Sequence, residues 1–119
     1  MSKTESKIVK SIIDGIRREW PLSYVRKIND RHTRGIPDIV AQVSDGVVSV
    51  MFWIEVKTSI GVVSKIQKLE HEKIEKAGGI VIVAVNFHVA HGLIRYHLTL
   101  KRLQSGYKYT PFVEVDVLP

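Results

Sequence analysis

The sequence predicts an α/β fold: a mixed β-sheet with flanking helices, in the order αβββαβ followed by a C-terminal helix and strand. Three observations predict it. Near the N-terminus, apolar residues at Ile8, Val9, Ile12, Ile13 and Ile16 trace one face of a helix. Two strand-like runs, Asp38 to Val43 and Val47 to Lys57, are separated by Ser44-Asp45-Gly46, and Asp-Gly is a strong hairpin signal. A second helical pattern leads into Ile80 to Val85, a continuous β-branched run of the kind found in strands buried on both faces and parallel to a neighbour.

Each element has its own start and stop. Ser2 and Glu5 fit a capping box for the first helix, Thr4 to Glu19, and Trp20-Pro21 ends it because proline cannot continue the hydrogen-bond ladder. Tyr24 to Ile28 reads as a short first strand. Asn29 to Pro37 is polar, with Gly35 and Pro37 as breakers, and reads as a loop carrying Arg31, His32 and Arg34. Ser64-Lys65-Ile66-Gln67 is another capping box, opening a helix that passes Leu69 and Ile74 and closes at Ala77 before Gly78-Gly79. Two periods compete further on. Val89, Leu93, Tyr96, Leu100 and Leu103 fit a helix, whereas Ile94, Tyr96, Leu98 and Leu100 fit an alternating strand; the helix is the expectation. Phe112 to Val117 alternates and is expected to add a final edge strand.

Length and charge narrow the function. A chain of 119 residues, 45% hydrophobic and 25% charged, is expected to form one domain over 1–119. A domain this small buries only about two-thirds of its unfolded surface, so dimerisation is a natural source of extra stability. Eighteen Lys and Arg against twelve Asp and Glu give a net charge of +6, which favours a polyanionic partner, nucleic acid first. The absence of cysteine excludes disulfides, thiolate zinc sites and cysteine nucleophiles. The N-terminus is charged rather than an apolar leader, and no apolar run is long enough to span a bilayer, so a cytoplasmic location without a membrane partner is expected.

The hairpin gathers the residues that carry chemistry. A symmetric turn at Asp45-Gly46 sets Asp38 opposite Trp53, and alternation puts Glu55 and Lys57 on the same side as Asp38. The other side then carries Ile39, Ala41, Val43, Val48, Val50, Phe52, Ile54 and Val56, all apolar. A slip of one residue would spoil both faces. In this register the Asp38 and Glu55 Cβ atoms are diagonal neighbours, roughly 7 Å apart or a little less, close enough to share a hard cation. Oxygen ligands of this kind favour Mg²⁺ or Mn²⁺. Lys57 can orient an attacking water or offset charge developing on phosphorus, and the Val56 main-chain carbonyl is a further candidate ligand.

Gly35-Ile36-Pro37-Asp38 followed by Glu55-Val56-Lys57 resembles the PD-(D/E)XK nuclease superfamily. With Ile54 and Thr58 flanking the second motif, then Gly61, Ser64, Gln67 and Gly78-Gly79 before a buried strand, the chain is similar to the VRR-NUC family over roughly Glu5 to Val85. The resemblance implies a restriction-endonuclease-like core and a metal-dependent DNA endonuclease. It further implies that Asp38 and Glu55 bind metal and that Lys57 assists hydrolysis, with Gln67 matching a family glutamine and Glu5 a first-helix glutamate. It also implies branched DNA such as Holliday junctions as substrate, and a homodimer, by similarity to stand-alone viral and bacterial members; a viral member would work in the host cytoplasm. A restriction- or repair-type nuclease and a noncatalytic DNA-binding module on the same fold are the alternatives.

Plainer roles compete for several residues. Glu5 and Gln67 both sit where a capping box wants them. Arg31, Arg34 and Lys65 are candidates for holding the DNA backbone, although charged loops and helix faces, Lys68 and Lys73 included, are commonly just solvated. His88 and His91 stand at helical spacing without a clustered third ligand and are expected to be ordinary surface or packing residues rather than metal ligands. Trp53 is expected to cover sheet surface.

Overall fold

A computed structural model describes residues 3–29, 32–59 and 61–106. Along the chain run α1 (Lys3–Glu19), β1 (Tyr24–Lys27), β2 (Ile39–Ser44), β3 (Ser49–Val56), α2 (Lys65–Lys76), β4 (Ile80–Ala84) and α3 (Phe87–Gln104). The sheet order is β1-β2-β3-β4, antiparallel up to β3 and parallel between β3 and β4. The α/β expectation of a mixed sheet with flanking helices is met, and the parallel pair is joined through α2 as a crossover requires. The expected strand at Phe112 to Val117 lies outside the described residues, as do Ser2 and Arg31.

One face of the sheet is the core. Ile39, Ala41, Val43, Val50, Phe52, Ile54 and Val56 are buried against Val9, Ile12 and Ile16 of α1 and Ala90, Ile94 and Leu98 of α3, with Val48 half-buried at the margin. This is the apolar side the alternation predicted. The two helices meet closely at Gly15, where any Cβ would strike the Phe87 ring at 2.4 Å. α2 packs on β4 and covers the other face beside β3. Among the described residues no helix is long and apolar enough to cross a membrane.

The hairpin pairing departs from the expected one. Ser44 pairs with Ser49 and Val40, not Asp38, lies opposite Trp53. The Asp45 carboxylate explains the shift: its Oδ1 accepts from the backbone N of both Val47 and Val48, each at 2.9 Å, and Gly46 takes φ +92°. These bonds centre the turn on Gly46-Val47, one residue later than expected, so every partner moves by two. A shift of two preserves the alternation, so the division of faces survives. The ladder ends at Ile39 opposite Ile54; beyond it Asp38 leaves the regular register, with its backbone N donating to Ile54 O at 3.0 Å. Asp38 also lies just outside β2 rather than opening it.

α3 is a helix, but the apolar residues that signalled it are not the ones it buries. Asn86 caps it by accepting from Val89 N at 2.8 Å, and Ala90, Ile94 and Leu98 face the core. Val89, Leu93, Tyr96 and Leu103 are exposed. His91 stacks on Trp20 with ring centroids 5.2 Å apart and sets Nε2 3.1 Å from Glu19 Oε1, while His88 is exposed. His91 therefore packs, as expected.

Candidate active site

The site begins in the loop before β2. Gly35 holds φ +87°, and a Cβ there would meet the Ile66 carbonyl oxygen at 2.7 Å, so the loop is pressed against the first turn of α2. Pro37 is buried and restricts the backbone on entry to Asp38. Asp38 is then held three ways. Its backbone N donates to Ile54 O at 3.0 Å, its carbonyl accepts from Ile28 N at 2.8 Å, and its Oδ2 accepts from Val56 N at 2.8 Å. The carboxylate thus takes a bond that a neighbouring backbone carbonyl would otherwise make, which fixes it beside the end of β3.

Replacing Gly35 by alanine forces both a left-handed Cβ-bearing residue and a clash with backbone. We expect about 1–3 kcal/mol of destabilisation in urea unfolding. A change smaller than the error of the unfolding curve would contradict this reading of the loop.

Glu55 is only 2% exposed. Its Oε2 accepts from Gln67 Nε2 at 3.2 Å, and its Oε1 lies 3.2 Å from His71 Nε2. Burial pushes its pKa up from 4.5 to about 8; a hydrogen bond with Asp38 and the Asp38 charge add to the rise, as does Glu5, while Lys57 opposes it. Glu55 is therefore favoured in its protonated form near neutrality in the absence of a cation.

The structure brings Asp38, Glu55, Lys57, Gln67 and Glu5 together. Lys57 follows β3, is half-buried, and is anchored by its backbone N donating to Ala84 O at 3.1 Å. Glu5, in the first turn of α1, is near enough for its charge to act on Glu55. Gln67 makes both contacts open to it: its Oε1 accepts from Ser64 N at 2.8 Å in the capping box, and its Nε2 is the donor to Glu55. Val56 lies between the motif's acid and base with its side chain in the core and its N–H on Asp38.

His71 is the residue that sequence reasoning passed over. It is buried, and burial is the main cause of its lowered pKa, assisted by Lys57 and opposed by Glu75, so the ring is neutral at ordinary pH. The signal was present: His71 stands four residues after Gln67, hence on the same face of α2.

Arg34 and Lys65 are both exposed, and the Gly35–Ile66 contact sets their backbones side by side at the rim. Arg31 falls outside the described residues. Lys68 is exposed and Lys73 pairs with Glu70 at 3.1 Å. Trp53 lines a groove of about 700 Å³ with Ile74, Gly79, Ile80 and Leu100, at the other end of α2 and without any of the clustered acids. It covers sheet surface, as expected.

Among the described residues no group of three or more His, Cys, Asp or Glu side chains is disposed as a metal cage. What the site offers is a pair of carboxylates in mutual hydrogen-bonding reach. That donor set fits Mg²⁺ or Mn²⁺, since Mg²⁺ keeps several waters and takes one or two carboxylates rather than a full protein cage.

No protein-family model matches the sequence, and no curated protein matches it. Among solved structures, one described as a VRR_NUC domain is 25% identical with a TM-score of 0.64, over 79% of this chain and 97% of its own. Another, described as a VRR_NUC domain protein, has the same TM-score of 0.64 over 84% of this chain and 92% of its own, at 16% identity, and speaks for the fold alone. The mixed sheet with flanking helices is accordingly a restriction-endonuclease-like fold. The fold and this likeness support a nuclease of the VRR-NUC type.

Proposed function

We propose that the chain is a Mg²⁺- or Mn²⁺-dependent endonuclease that hydrolyses DNA phosphodiester bonds. The observation that carries this reading is buried Glu55 beside half-buried Asp38, where the Asp38 hydrogen bond and charge raise the Glu55 pKa and a divalent ion would relieve the repulsion. When bound, that ion supplies polarisation of the phosphate and a more acidic water.

The chain's own residues do the rest. Asp38 and Glu55 would hold the ion, with the Val56 carbonyl as a further candidate oxygen. Lys57 presents its ammonium to the attacked phosphate, where it offsets the charge that grows on the phosphoryl oxygens. Gln67 orients Glu55 from α2, and Glu5 adds negative charge beside the pair, strengthening the hold on a cation. Arg34 and Lys65, with Arg31 three residues before Arg34 in sequence, contact DNA phosphates, a role supported by the net charge of +6 and giving salt-sensitive binding. The family likeness supports branched DNA, Holliday junctions foremost, with a homodimer making paired cuts; the same likeness and composition are compatible with a cytoplasmic enzyme.

Cleavage of a four-way junction, a flap and a linear duplex by one preparation tests the proposal. Cutting that needs Mg²⁺ or Mn²⁺, stops with chelator and is fastest on the junction is expected. Salt-sensitive binding without metal-dependent turnover would instead identify a DNA-binding module. Sequence-dependent cutting of linear duplex would indicate a restriction- or repair-type enzyme.

A further inference from the structure

We propose that His71 is a positioning residue for the acid pair: its Nε2–H donates to Glu55 Oε1 and, with Gln67 on Oε2, orients the carboxylate toward Asp38. The proposal rests on the metal-site reading above and extends it to a residue outside the motif.

The first support is where the residue sits. His71 is the one buried residue of α2 among those described, on a helix otherwise exposed or half-buried. A helix that spends its most buried position on a polar ring gives up apolar area that leucine would have supplied, so the ring is kept for what it bonds. Its bonding partner is Glu55, at 3.2 Å.

The second support is what that bond does. A glutamate carboxylate turns readily about its last side-chain bond, and an ion needs it in one orientation. α2 contributes one contact to each oxygen, from Gln67 at 3.2 Å and from His71 at 3.2 Å, one helical turn apart. Two contacts fix a plane where one would leave a pivot. A carboxylate has about four lone-pair positions, so a lone pair remains on each oxygen for the side where Asp38 lies. A partner one shell behind a ligating carboxylate is the usual means of tuning its hold on a metal. His71 itself is not disposed as a third ligand, since no such three-residue group exists among the described residues.

The test is Mn²⁺ binding to the whole chain by calorimetry, without DNA, for the parent, Asp38→Ala, His71→Phe and His71→Gln. Phenylalanine keeps a ring without a donor; glutamine places an amide N–H where Nε2 was. His71→Phe is expected to weaken Mn²⁺ binding about 10–100-fold and His71→Gln to recover most of it, with both melting cooperatively when metal-free. Should His71→Phe not fold, His71→Met provides the same donor-free comparison. Binding by the donor-free variant within about twofold of the parent, or equal losses in the donor-free and glutamine variants, would overturn the proposal. A parent that binds no Mn²⁺, or Asp38→Ala that binds as well as the parent, would overturn the metal-site reading first and this inference with it.

Discussion

DNA cleavage at saturating Mg²⁺ is expected to fall by about 10²–10³-fold in Lys57→Ala, and at least as far in Asp38→Ala, with both proteins still folded. Lys57 is half-buried and close enough to Glu55 to lower its pKa, so its charge acts where water is scarce and electrostatic terms are strong. The charge it offsets is largest in the transition state. The loss should therefore appear in kcat while KM and junction binding change little. Lys57→Arg is not expected to restore full activity, because a planar guanidinium cannot occupy the place of a compact ammonium. For Asp38, alanine removes a carboxylate of the proposed metal site and leaves Val56 N without its acceptor, so some loss of stability is expected to accompany the loss of cutting. Single-turnover cleavage with unfolding curves on the same preparations separates the two effects. Persisting activity in both variants would remove the assignment.

The metal-free protein is expected to lose stability as pH rises from about 4.5 to about 8, and Glu55→Gln is expected to abolish that dependence together with cleavage. In the unfolded chain Glu55 titrates near 4.5; in the fold, burial and the Asp38 carboxyl hold it to about 8. Between those values the folded protein binds more protons than the unfolded one. Its contribution to stability is accordingly complete below the lower value and lost as pH passes the upper one. His71 works in the opposite sense, since burial lowers its pKa from 6.5 and stability is lost as it is forced to charge in acid. Above pH 6.5 the Glu55 effect therefore stands alone of the two. Melting at about pH 6.5 and about pH 9 should show a fall of several degrees in the parent, a smaller fall with Mg²⁺ present, and little in Glu55→Gln. An equal fall in parent and variant would show that Glu55 is not the group responsible.

Much of the site was legible because alternation along a strand is a strict rule. Asp38, Glu55 and Lys57 had to share a side once Ile39, Phe52 and Ile54 shared the other, and a pairing error of two residues left that division untouched. The error itself came from the turn. Which residues form it depends on the Asp45 carboxylate bonding Val47 and Val48, a choice that the Asp-Gly signal does not specify. α3 shows a different limit: Leu93, Tyr96 and Leu103 give a helical period yet face outward, while Ala90, Ile94 and Leu98 do the packing. Periodicity identifies an element more securely than it identifies the buried face when two stripes are apolar. Glu5 lies fifty residues before Glu55, and only the packing of α1 across the sheet end brings them together; spacing held no trace of that, and resemblance alone pointed to it. His71 was missed because its spacing from Gln67 marks a shared helix face but not burial, which depends on Glu55 of β3 packed against it.

Crystals equilibrated with Mn²⁺ and measured at a wavelength where manganese scatters anomalously test the central claim most directly. The account predicts one strong peak per chain, about 2.1 Å from carboxylate oxygens of both Asp38 and Glu55, with the Lys57 ammonium facing the same space. Well-ordered crystals whose manganese binds elsewhere, or in which no peak lies between Asp38 and Glu55, would contradict it.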